Sequence, residues 1–337
     1  MLLAPAYRVR PQVGTTWGYG RQRRRNVSKW LDPAFARALV TTGMLLKLMI
    51  SFGAIAVAMA GPMTAVAGGR QRSMHRNLTY ATVDGIELTL DLTVPQDIER
   101  PPLFVYIHGG GWRKGDKSHN RCAWVADHGY AVASIGYRLT DVALFPAQIH
   151  DCKAAIRWLR AYAVEYGYNA ERIAVAGGSA GGHLAALLGT TSQPPELEGT
   201  IGEHLHVSSA VQAIINYFGP TDFPLRRTSN PKRHMTSEGG SFLLLGGKER
   251  GEPDPELEVQ ASPVTYVSEH APPMLVFQGL ADRIVKPDQA EAIAKAYKIH
   301  GAPIEVVYVE GAGHGDQRIF RGENRDKALE FLGRHLK

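Results

Sequence analysis

Cysteine is scarce in this sequence, with only Cys122 and Cys152 in a chain of 337 residues. That excludes a disulfide-stapled scaffold and any cysteine-rich metal module. Acidic residues are almost missing from the first 67 positions, which hold Asp32 alone against nine Lys and Arg. Long apolar runs are lacking as well. The stretch 48–60 has about 13 largely apolar residues, short of the roughly 20 that a membrane-spanning helix requires. Tandem repeats are absent. The formal charge of +6 would ordinarily raise nucleic acid or an anionic membrane as partners. The basic excess is confined to the N-terminus, however. Residues 68–337 carry 29 basic and 31 acidic groups, a net of −2, so neither nucleic acid nor stable membrane insertion is expected of the body.

Met44 opens the stretch MLLKLMISFGAIAVAMAGPMTAVAGG. A Lys precedes the apolar run, Gly61-Pro62 break it, and Ala65-Val66-Ala67 supplies the small residues a signal peptidase requires. Residues 44–67 therefore read as a secretory signal peptide, and the expected location is secreted or periplasmic. No cysteine lies near residue 67 to anchor a lipoprotein. Residues 1–43, Arg-rich and without periodicity, read as a disordered tail or an over-extended gene start, with translation beginning at Met44. The remainder, 68–337, is expected to form one domain.

Within that body the pattern is regular. Residues 78–83 and 86–92 alternate around Asp84-Gly85, a hairpin signal. Residues 103–107, LFVYI, are apolar without a break, as in strands buried on both faces. Similar runs recur at 131–135, 173–176, 211–217, 274–278 and 304–309. Between them, 146–166 and 288–300 carry apolar residues at helical spacing, with Asp288 read as the cap of the second helix. This predicts an α/β fold with a mostly parallel sheet and an antiparallel hairpin at its start. Residues 221–262, rich in Pro, Gly and charge, lack periodicity and should lie near the carboxyl edge of the sheet, where ligands bind.

Two motifs sit in telling places. Gly177-Gly-Ser179-Ala-Gly181 joins an apolar strand to a helix. This is the G-x-S-x-G elbow, whose glycines leave room for a turn tight enough to expose the serine hydroxyl. His108-Gly-Gly-Gly-Trp112 follows the LFVYI strand, and consecutive glycines there let backbone N–H groups converge on one point. The donors would be Ala180 with Gly110 or Gly111, while Trp112 could stack on a sugar or aromatic group or simply pack the loop. An acid and a histidine should follow the serine in that order. Asp282 ends the strand at 274–278, and His314 follows the strand at 304–309. Ser179 would be the nucleophile, His314 the general base and Asp282 its orienter. Glu310 is the second acid to consider. His183, four residues past Ser179, reads as packing, and His108 as a shaper of the glycine loop. His204 and His206 form a His-x-His pair without a third ligand at useful spacing, so no metal is expected.

Together HGGGWRKGDK, SIGYRLT, FPAQIHDCKAAIRWLR, RIAVAGGSAGGHLAALLGT, YFGPTDF, ASPVTYVS and VEGAGHG resemble the α/β-hydrolase serine esterases. The resemblance spans roughly 78–335 and points to the feruloyl-esterase-like (BD-FAE) and acetyl-xylan-esterase-like branch near the hormone-sensitive-lipase type. It implies an eight-stranded-type sheet, hydrolysis of carboxylic esters and no cofactor. It places the triad on Ser179, Asp282 and His314, and the oxyanion donors on Gly110, Gly111 and Ala180. Many relatives carry His-Gly where this chain has Gln278-Gly279. The fold implied would put Cys122 and Cys152 on opposite faces of the sheet as small core residues, and 221–262 would be a small lid. The expected substrate is a small ester or acylated carbohydrate with an acetyl or feruloyl-type group. An amide or peptide hydrolase, arylformamidase-like or exopeptidase-like, is the alternative, and a non-catalytic binding protein on this scaffold a third.

Overall fold

In the computed structural model, residues 71–191 and 195–337 are described, so the expected basic tail and signal peptide lie outside the described residues. The hairpin comes first. β1 (Arg72–Val83) and β2 (Ile86–Pro95) pair antiparallel across Asp84-Gly85, both of which have positive φ. β3 (Pro102–Ile107), β4 (Ala131–Ile135), β5 (Asn169–Gly178), β6 (Ala213–Tyr217), β7 (Met274–Gly279) and β8 (Ile304–Val309) complete an eight-stranded sheet in the order β1-β2-β4-β3-β5-β6-β7-β8. β2 also runs antiparallel to β4, and every later pairing is parallel. This is the α/β-hydrolase architecture that the motifs implied.

The central strands are apolar without interruption because both faces are covered. In β3, Leu103, Val105 and Ile107 enter one core while Phe104 and Tyr106 enter the other, as a two-residue period dictates. The first core packs α1 (Ala147–Ala161), α2 (Ala180–Thr190) and, through Ala290, Ile293 and Tyr297, the helix Asp288–Ile299. The second holds the 3₁₀ turn Ala123–His128 and the C-terminal helix Glu323–Leu336. Cys152 belongs to the first core and Cys122 to the second, and both are free thiols.

Two sequence expectations need correction. Asp288 does not cap its helix: Pro287 occupies that position, and the Asp288 Oδ1 is buried with no hydrogen-bond partner among the described residues. The strand expected from 211 begins at Ala213, with Gln212 just before it exchanging two bonds with Ile173, its N–H donating to Ile173 O and its side-chain oxygen accepting the Ile173 N–H. The aperiodic 221–262 segment forms five short helices, Phe223–Ser229 (α3), Pro231–His234, Gly240–Leu244, Gly247–Arg250 and Pro255–Gln260. Among the described residues, no helix is long and apolar enough to cross a membrane.

Candidate active site

Ser179 stands where β5 turns into α2, with φ 55° and ψ −119°. A non-glycine residue in that region is strained and persists only where its surroundings dictate it. Here Ser179 N donates to Tyr217 O at 2.9 Å on the adjacent strand, and His183 N donates back to Ser179 O at 3.0 Å. The flanking glycines make the turn possible. A Cβ on Gly177 would come within 2.3 Å of Gly181 backbone, and one on Gly181 within 2.0 Å of Ile107 O. The strand, the elbow and the helix therefore approach more closely than any side chain permits.

The acid and the histidine arrive from β7 and β8. Asp282 is buried in the loop after β7, where its Oδ1 accepts N–H bonds from Ile284 at 2.8 Å and Val285 at 2.9 Å. Its Oδ2 lies 2.7 Å from His314 Nδ1, and His314 Nε2 lies 2.9 Å from Ser179 Oγ. The order serine, histidine, carboxylate is thus realised as one continuous hydrogen-bonded chain. Phe218 packs edge-on against the imidazole at 4.9 Å. Glu310 is exposed and outside this chain. Gln278 donates to Val285 O at 3.0 Å and to Gly279 O at 3.1 Å, pinning both ends of the Asp282 loop.

The 108–112 loop lies directly against the elbow, since a Cβ on Gly109 would sit 3.6 Å from Ser179 Cβ. Gly110 and Gly111 have φ of 114° and 65°, which glycine alone adopts freely. None of the N–H groups of Gly110, Gly111 and Ala180 has an acceptor among the described residues. His108 holds this loop from within: Nδ1 meets Gly109 O at 2.7 Å, and its ring stacks on Tyr137 at 4.3 Å. Burial lowers its pKa, keeping it neutral.

Trp112 corrects an expectation. The residue is only 3% exposed, its Nε1 donates to His183 Nδ1 at 3.2 Å, and the ring leans on Phe223. The indole is therefore committed to packing and is closed to stacking on a sugar. His183 in turn meets Ala261 O through Nε2 at 2.7 Å. With one ring nitrogen accepting and the other donating, the imidazole must be neutral. It ties the glycine loop, the helix behind Ser179 and the end of the 221–262 segment into one unit.

Burial pushes the His183 pKa down to about 4. An unfolded histidine takes a proton near pH 6.5, so as pH falls from about 6.5 toward about 4 the unfolded chain gains a proton that the folded chain refuses. Stability from this residue is complete above that window and lost within it, by about 3 kcal/mol at pH 4. Urea unfolding at pH 7.5 and pH 4 should show wild type losing about 3 kcal/mol more than His183→Gln. Equal losses in the two proteins would refute the assignment.

Ser179, His314 and the Gly109–Gly111 backbone border a cleft of about 1020 Å³ at the carboxyl edge of the sheet, lined also by Phe218, Arg226, Arg233 and Gly240. Sequence reasoning missed Arg226, which lies on α3 in a segment without periodicity. It is 5% exposed, and its Nη1 donates to Ile284 O at 2.8 Å, next to Asp282. Burial lowers its guanidinium pKa to about 10, against the opposing pull of Asp282 and Asp288, so the cation persists at neutral pH. Among the described residues, no cluster of three or more His, Cys, Asp or Glu could hold a metal ion. His204 and His206 have ring centroids 6.4 Å apart, and His204 packs edge-on against Tyr162.

The BD-FAE family model matches residues 90–297. Esterase LipC of Mycobacterium tuberculosis is 31% identical over 252 residues, 73% of this chain and 60% of LipC. Esterase LipQ of the same organism is 31% identical over 240 residues, 68% of this chain and 55% of LipQ. The chain thus spans less than two thirds of the length of these curated relatives. Among solved structures, a truncated carbohydrate esterase from gut microbiota superposes with TM-score 0.69 at 28% identity, covering 79% of this chain and 96% of the other. The thermophilic esterase Est2 of Thermogutta terrifontis gives TM-score 0.60 at 29% identity, over 79% of this chain and 91% of its own.

Proposed function

The chain belongs to the BD-FAE family of α/β-hydrolases, and from that premise we propose that it is a secreted serine esterase that removes short acyl groups, acetyl or feruloyl-type, from carbohydrates. The observation that carries the reading is the unbroken chain from Ser179 Oγ through His314 to Asp282, facing uncommitted backbone N–H groups. Ser179 Oγ attacks the acyl carbon as its proton passes to His314 Nε2. The negative charge on the former carbonyl oxygen is met by the N–H groups of Gly110, Gly111 and Ala180. The imidazolium, steadied by the Asp282 carboxylate, returns that proton to the departing alkoxide, leaving an acyl-serine and a free alcohol. Water then gives a proton to His314 and attacks the acyl carbon. Oγ takes the proton back, and the acid leaves. His183, His108 and Gln278 touch no reacting atom in this scheme and act as positioning residues.

The carbohydrate side of the reading is supported by the gut carbohydrate esterase among the structural neighbours. Secretion rests on the 44–67 pattern, and 221–262 serves as a fixed lid, since it walls the cleft through Arg226, Arg233 and Gly240. A fluorophosphonate should label Ser179 covalently. A panel of acetylated xylan, methyl ferulate and 4-nitrophenyl esters of graded length should show fastest turnover of short or feruloyl esters. Labelling with turnover confined to anilides or formamides would move the protein to the amide hydrolases. No labelling at all would make it a binding protein.

A further inference from the structure

Arg226 is a cation buried at the wall of the cleft without a matching anion. Of the five N–H groups of a guanidinium, one is engaged, by Ile284 O at 2.8 Å. Among the described residues the buried Nε has no partner and Nη2 has no acceptor. Asp282 and Asp288 favour its charge from a distance, but neither lies within ion-pair range of it, and Asp282 is spent on His314. A buried guanidinium left with unsatisfied donors is costly unless something completes it.

The rest of the wall points the same way. Arg113, Lys114, Arg121 and Arg233 line the cleft with Arg226, against one acid, Glu238. Among the described residues none of these five cations has an ion-pair partner, while Glu238 faces Lys232 at 3.6 Å. Arg113 reaches only Ser237 O at 3.3 Å, and Arg121 lies over the Phe320 ring and donates to Gly315 O at 2.9 Å. The body of the chain has a net charge of −2, so a cleft wall carrying five cations and one acid is a local concentration. Its field favours anions where the low-dielectric walls focus it.

We propose that the cleft selects esters that also carry a carboxylate, with Arg226 as the specificity-determining residue that receives it and Arg233 assisting. This rests on the esterase reading of the same site. The carboxylate could belong to the alcohol, as in an acylated uronic acid, or to the acyl group, as in a half-ester of a dicarboxylic acid. In both cases the chemistry is a planar carboxylate on a guanidinium fork.

Two substrate pairs test it on the full chain, each corrected for spontaneous hydrolysis. 4-Acetoxybenzoate against 4-acetoxybenzamide places the charge on the alcohol. Mono-4-nitrophenyl glutarate against 4-nitrophenyl butyrate places it on the acyl group. In one pair the charged ester should have the higher kcat/KM, by about tenfold and chiefly through KM, as a charge-assisted hydrogen bond supplies. Which pair responds identifies the source of the carboxylate. Arg226→Gln should bring that ratio to about one. Should this variant fail to fold, Arg233→Gln must lower the ratio instead. No preference for the charged ester in either pair, or a ratio unmoved by the substitution that folds, overturns the proposal. Hydrolysis of neither pair together with no fluorophosphonate labelling would show instead that the underlying esterase reading had failed.

Discussion

Replacing Ser179 by alanine is expected to lower kcat on 4-nitrophenyl acetate by about 10⁶-fold, because nucleophile and base act as one unit. The structure also indicates that the loss will be chemical and not structural. Among the described residues the one hydrogen-bond partner of Oγ is His314 Nε2, so no other hydrogen bond leaves with it. The left-handed backbone at position 179 is held by the bond from its own N–H to Tyr217 O and by the bond it receives from His183 N. Both are main-chain bonds that alanine keeps. The strain itself is common to all L-residues with a Cβ, so alanine neither adds to it nor relieves it. The thermal midpoint should therefore stay within about 2 °C of wild type. A variant that keeps a large share of the wild-type rate while remaining folded would remove Ser179 from the reaction altogether.

Much of this arrangement was legible in the residues because short-range rules govern it. LFVYI carries the unbroken apolar pattern of a strand covered on both sides, and Asp84-Gly85 is a strong signal of a tight turn between alternating segments. The glycines around Ser179 declare a close approach that the structure realises at Ile107 O and Gly181. What escaped were short helices without an apolar stripe and features set by distant partners. The 221–262 segment has no period because its helices are fixed by local caps and buried charge. Asp222 accepts from Leu225 N and Asp254 from Glu256 N. Glu258 gathers Arg227 and buried His234 at 2.6 Å. In α1 the apolar stripe was visible, yet Asp151, Lys153 and Arg157 are buried beside it. Asp151 binds Arg138, while Lys153 and Arg157 converge on Glu198, contacts spread over tens of residues. Trp112 shows the same limit from another side. Its neighbourhood to the glycine loop was plain, but the direction of its indole depends on His183, 71 residues on.

Asp282→Asn should cost about 10⁴-fold in kcat with the fold intact, and the hydrogen bonds of this loop give the reason. Oδ1 of Asp282 accepts two main-chain N–H groups, from Ile284 and Val285, and Oδ2 faces His314 Nδ1. An asparagine has one oxygen and one NH₂ to fill the same two places. The two N–H donors require the oxygen on their side, so the NH₂ must face His314. Nδ1 would then have to accept, which moves the imidazole proton to Nε2, the atom that has to receive the proton of Ser179. The loop stays in place, since Gln278 and Arg226 hold it through Val285 O and Ile284 O. Melting curves and fluorophosphonate labelling separate the alternatives. The expected result is an unchanged transition with labelling slowed in step with kcat. An asparagine variant labelled as fast as wild type would mean that His314 takes its orientation from elsewhere.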